Sequence, residues 1–245
     1  MDIIVFIALF LPVIISGLSI FAFKTSDHIL KLILSFSGAY LLSISFTDII
    51  PEIYSNENKE LVGFFILLGF FTQLILDFLT KGVEHGHQHS HIVHEHKSFP
   101  TYFSVIIGVC IHSFLEGMPL ANNFSNSGLQ HTLLIGIVIH NIPISIVLMG
   151  LLLQTNKNSI KSIILLTVFA FSAPLGTFLC NYFGSSFITN VATFNAIIMA
   201  MVVGIFLHIS TIILFESDEK HGYNFIKLAS IIIGVLAAVS VKILF

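Results

Sequence analysis

The chain has 245 residues, 56% hydrophobic and only 9% charged, with a mean hydropathy of +0.99 and a net charge of −3. Soluble domains carry about 25% charged residues, so a water-soluble globular protein is excluded. The ten basic residues are all lysine and are spread along the chain, which leaves no basic patch for nucleic acid.

Eight apolar runs recur at 3–23, 29–54, 60–80, 99–123, 130–154, 159–183, 188–215 and 223–245. Each is long enough to cross a hydrocarbon core of about 30 Å. The links are short, which predicts one all-α integral membrane domain over residues 1–245 with eight transmembrane helices. No basic segment precedes the first run and no small-residue cleavage site follows it, so it is expected to be a retained span. Cys110 and Cys180 fall inside spans and imply no disulfide framework; both are expected as small core residues.

Lysine sets the expected orientation. With eight spans, one set of loops and helix ends holds Lys24, Lys31, Lys81, Lys97, Lys157, Lys161, Lys220 and Lys227, and the other side holds only Lys59 and Lys242. The positive-inside rule then puts both termini outside and the loop between spans 3 and 4 in the cytoplasm.

Pro12 and Gly17 in span 1 are ordinary for a membrane helix. Span 2 ends in Asp48-Ile-Ile-Pro51-Glu52, where Asp48 and Glu52 form either a hydrated helix end or a mouth that collects cations. Span 3 carries Gln73 and Asp77 near its inner end, and Asp77 fits an interfacial anchor or a station on an ion path. The 82–97 loop that follows is rich in histidine: His85, His87, His89, His91, His94 and His96. Alternating His-x-His spacing suits an adaptable tract that buffers or senses borderline metals such as zinc, nickel and copper.

Spans 4 and 5 carry the chemistry. An ionisable side chain at the bilayer centre costs about 2.5 to 3.5 kcal/mol even on the lenient insertion scale, so such residues mark function. His112 and Glu116 are four residues apart and share one helix face. His140 sits mid-way along the next span. If spans 4 and 5 are antiparallel neighbours, the two rings lie at matching depth with the carboxylate. Pro119 and Pro143 each follow a histidine; proline removes a donor and frees a carbonyl one turn earlier, and broken mid-membrane helices expose such oxygens to ions. Asn141 could line a polar path. Asn122 and Asn123 lie near the outer end of span 4, where ordinary hydration explains them. His208 stands alone on span 7 and fits either an interhelical hydrogen bond or an accessory metal ligand.

These residues resemble the ZIP (ZRT/IRT-like protein) family of metal-ion transporters. The family typically has His-Asn-x-Pro-Glu-Gly in helices 4 and 5. Here helix 5 reads His140-Asn141-Ile142-Pro143-Ile144-Ser145 and helix 4 reads His112-Ser113-Phe114-Leu115-Glu116-Gly117. Asp48-Ile-Ile-Pro51-Glu52 is similar to the family's Leu-Leu-Pro-Glu helix end, and Ser172-Ala173-Pro174-Leu175-Gly176 to its Glu-Pro-Leu-Gly segment. The likeness runs over nearly the whole chain, with eight spans and a His-rich loop between the third and fourth. It implies a 3+2+3 arrangement, with helices 1–3 and 6–8 as inverted repeats around a central helix 4–5 pair.

Three departures bear on the site. Ile144 stands where the family usually has a second Glu, Ser113 where it often has Asn, and Ala173 where many members have another acidic residue. The resemblance implies two metal positions in many members. Here one is expected, built from His112, Glu116 and His140 and completed by water, Asn141 or Ser113. Two imidazoles and a carboxylate suit zinc and exclude Ca²⁺ and Mg²⁺, but do not separate Zn²⁺ from Fe²⁺, Mn²⁺ or Cd²⁺.

The expected function is uptake of a divalent transition metal, most simply zinc, into the cytoplasm by alternating access, with the metal as substrate and no cofactor or enzymatic activity. The expected partners are that ion and the lipid bilayer of the cell membrane, with a homodimer allowed. Two other classes stay open: a non-transporting metal sensor or scaffold, suggested by the missing acidic ligands, and a metal-dependent intramembrane hydrolase, which would need a general base besides Glu116.

Overall fold

Eight helices account for nearly all the described residues of the computed structural model, which are 3–23, 26–56, 59–80, 99–121, 127–156, 158–186, 190–215 and 225–244. They are α1 (Ile3–Leu18), α2 (Asp27–Ile44, continued by a π-helical stretch Ser45–Ile49 and by Ile50–Asn56), α3 (Lys59–Thr80), α4 (Phe99–Gly117), α5 (Ser127–Asn156), α6 (Ser159–Ser186), α7 (Val191–Phe215) and α8 (Phe225–Leu244). Among the described residues there is no strand. Seven helices are long and apolar enough to cross a membrane, and α8 has 20 residues, about 30 Å at 1.5 Å per residue. The chain is an all-α integral membrane protein.

The prolines behave differently from one another. Pro143 lies inside the unbroken 30-residue α5; membrane helices tolerate proline where neighbours re-satisfy the freed backbone groups. Pro119 instead sits in a 3-10 stretch, Met118–Ala121, that ends α4. Its missing N–H cannot extend the α-helical ladder. Thr177 on α6 donates its hydroxyl to the Gly117 carbonyl there at 2.7 Å, satisfying an orphan acceptor of the helix terminus. The π-helical stretch in α2 ends two residues before Pro51 and contains Asp48.

Helices adjacent in sequence are not the main packing partners. α4 packs chiefly on α6, and α5 on α1; α3 packs on α7, and α2 on α8. The molecule therefore resolves into two four-helix groups, α1/α4/α5/α6 and α2/α3/α7/α8, which meet mainly along α3–α4 and α2–α5. α4 and α5 touch each other far less than either touches its main partner.

Close helix approach comes from reciprocal glycines. A Cβ on Gly117 would strike the Ala173 carbonyl of α6, and one on Gly176 would strike the Phe114 carbonyl of α4. Both would hit backbone, which cannot step aside. Small residues at such crossings let backbones pack without a side-chain layer between them.

Two apolar clusters fill the interior. One gathers Leu129, Leu133 and Ile137 of α5 with Leu120, and with residues of α2 and α7. The other gathers Ile144, Val147 and Leu148 of α5 with Val105, Ile106 and Val109 of α4 and Phe169 of α6. Along α5 the first cluster precedes His140 and the second follows it. Along α4 the order is reversed, so the two helices run antiparallel past the same level.

Candidate metal centre

Between those clusters lie His112, Glu116 and His140, each fully buried. One ligand-capable atom from each lies within 4.8 Å of the others. His112 Nε2 is 3.3 Å from Glu116 Oε1, and His140 Nε2 is 4.0 Å from the same oxygen. The two rings stand nearly perpendicular, centroids 5.8 Å apart. Two imidazole nitrogens thus converge on one carboxylate oxygen, the donor types a zinc-like ion takes. Among the described residues this is the one group of three or more His, Cys, Asp or Glu side chains so placed.

Local structure explains the convergence. The i,i+4 spacing stacks His112 and Glu116 on one face of α4, and the antiparallel run of α5 brings His140 to their level. Asn141, next to His140, donates from Nδ2 to Glu116 Oε2 at 3.5 Å, which leaves Oε1 turned to the histidines. Its own Oδ1 is buried and accepts no hydrogen bond among the described residues. A buried amide oxygen left in that state is unfavourable and suits a site that gains a cation or a water. Ser113 is buried beside His112.

A third helix contributes a contact that spacing on spans 4 and 5 could not reveal. Gln73 of α3 is fully buried, and its Oε1 lies 3.0 Å from His112 Nδ1. An amide oxygen only accepts, so with Gln73 Oε1 as partner the ring donates from Nδ1, and its Nε2 edge is turned toward Glu116. This is how metal-ligating histidines are commonly held.

Other singled-out residues lie apart from this group. Asp77 sits one turn beyond Gln73 on the same side of α3 and is partly buried. His208 is buried on α7 with its ring edge-on to Phe70 of α3, centroids 4.9 Å apart. Asp48 is partly buried, with the Thr47 hydroxyl donating to Oδ2 at 2.6 Å, and Glu52 follows one turn later. His85, His87, His89, His91, His94, His96, Asn122 and Asn123 fall outside the described residues. Ile144 and Ala173 are buried in the apolar clusters.

The family model described as ZIP zinc transporter matches residues 83–242, more than half of the chain and inclusive of the whole α4–α5 cluster. Zinc transporter ZIP1 of Danio rerio is 26% identical over 191 aligned residues, covering 60% of this chain. The match spans 63% of that relative's length, less than two thirds.

Proposed function

From the premise that the chain belongs to the ZIP zinc transporter family, whose members are transporters rather than enzymes, we propose that it carries a divalent transition metal, zinc first, through the buried site on α4 and α5 into the cytoplasm. The observation that carries this reading is the convergence of His112, Glu116 and His140 at one level of the membrane domain. His112 and His140 offer neutral nitrogens, and Glu116 offers the charge. Asn141, Ser113 or water completes the shell. Asp48 and Glu52 gather cations at one end. The His-rich 82–97 segment holds metal on the cytoplasmic side, with both termini outside.

Burial of all three ligands between apolar clusters suits an occluded conformer of an alternating-access cycle. The division into two helix groups suits it as well, because the ligands ride on one group while the other can serve as a frame. The pairing of α3 with α7 and α2 with α8, matched by α4 with α6 and α5 with α1, supports a 3+2+3 inverted repeat. A membrane potential of 100 mV, inside negative, adds about 4.6 kcal/mol for a divalent ion moving inward, twice the value per elementary charge.

The test is metal flux into liposomes holding the purified protein, with Zn²⁺, Fe²⁺, Mn²⁺ and Cd²⁺ offered in turn. Zinc accumulation above protein-free vesicles is expected. Stoichiometric zinc binding without flux would favour a non-transporting sensor, a reading motivated by the apolar Ile144 and Ala173. Because the ligands shed protons to bind metal, flux at fixed zinc is expected to fall as pH drops from 7.5 to 5.5. A flat profile over that range would reject this ligand set.

A further inference from the structure

Gln73 belongs to the α2/α3/α7/α8 group, whereas the candidate ligands belong to the other. Side-chain hydrogen bonds that bridge the two groups include Tyr40 Oη to the Thr132 carbonyl, 3.1 Å, and His112 Nδ1 to Gln73 Oε1, 3.0 Å. The first joins ordinary structural atoms. The second ends on the ring whose other nitrogen faces Glu116. Its geometry is fixed from both sides: Gly108, one turn before His112, lies close against Leu76 and Thr80 of α3, and a Cβ there would strike the Thr80 side chain.

We propose that Gln73 is a positioning residue that ties the metal affinity of His112 to the seating of the ligand-bearing helices against α3. This inference rests on the transport reading above. While the groups are seated as they are here, Gln73 holds the His112 ring in the tautomer and orientation that present Nε2. When the α1/α4/α5/α6 group moves along α3, the acceptor is left behind. The ring is then free to turn or to exchange tautomer, and the ion is held less tightly. Capture and release thus differ through one hydrogen bond that the metal never touches. Outer partners of metal-ligating histidines commonly contribute 10- to 100-fold in affinity.

The experiment compares Gln73→Met, which keeps length and removes the acceptor, with Gln73→Glu, which keeps the acceptor. Zinc binding to the purified full chain and zinc flux in liposomes are both measured. Gln73→Met is expected to raise the dissociation constant and the half-saturating zinc concentration about 10- to 100-fold, while flux at saturating zinc changes by much less. Gln73→Glu is expected to bind zinc at least as tightly as the parent. A packing role alone would lower the folded fraction and maximal flux and leave half-saturation in place. Parent-like half-saturation in Gln73→Met overturns the proposal, and so does a Gln73→Glu protein that binds zinc tenfold more weakly than the parent. If Gln73→Met does not fold, Gln73→Glu decides alone. Failure of the transport reading is separately visible, as a parent protein with no zinc flux.

Discussion

Glu116→Gln is expected to reduce zinc flux and zinc affinity by on the order of 100-fold or more, since even partners outside the ligand shell cost 10- to 100-fold. Glu116 is the only fully buried carboxylate among the described residues. Both imidazoles are neutral when they bind metal, so Glu116 alone offsets the charge of the ion. At an effective dielectric of about 20 and a separation of 4 Å, one unit charge on another is worth about 4 kcal/mol, and a divalent ion doubles it. Glutamine keeps the shape and still accepts from Asn141, so the fold is expected to survive. The check is zinc flux and equilibrium binding on a protein that elutes as the parent does on size exclusion. His112→Ala and His140→Ala are expected to follow Glu116→Gln. Flux above half the parent rate in all three would end the assignment of the site.

Ile144→Glu has the second largest expected effect, and its sign depends on metal. Ile144 lies one turn after His140, on the same side of α5, and is 1% exposed among Val109, Val147 and Phe169. A carboxylate there is an uncompensated buried charge without metal, a cost of about 3–5 kcal/mol. The metal-free variant is therefore expected to melt on the order of 10 °C below the parent. With zinc, the second carboxylate joins Glu116 and cancels the remaining positive charge of the complex. The zinc-induced rise in melting temperature should then exceed that of the parent, and the order of preference among Zn²⁺, Fe²⁺, Mn²⁺ and Cd²⁺ is expected to change. Equal zinc-induced shifts in variant and parent would mean that position 144 does not face the ion.

The spans were legible because a membrane helix is a statement about composition over about 20 residues, and composition is what a sequence displays. The pairing of His112 with Glu116 was legible for a related reason: four residues carry a helix just past one full turn. What spacing cannot report is which helix lies beside which. Sequence adjacency suggests α4 against α5, whereas α4 leans on α6 through Gly117 and Gly176, and α5 leans on α1. Gln73 was visible as a polar residue of span 3, but its contact with His112 was not, because that depends on the α3–α4 register at Gly108. The π-helical stretch at Asp48 was equally invisible, since it lengthens the backbone ring by one residue without changing the hydropathy pattern. Pro119 and Pro143 look alike in the sequence, yet one ends a helix and the other lies inside it.

The apolar clusters on either side of the cluster of histidines carry one more implication. On the transport reading proposed above, apolar walls above and below the ligands make each cation wait for whole helices to shift rather than follow a standing file of water. A recording electrode sealed over a membrane rich in this protein would therefore trace a smooth, temperature-sensitive drift rather than abrupt unitary steps.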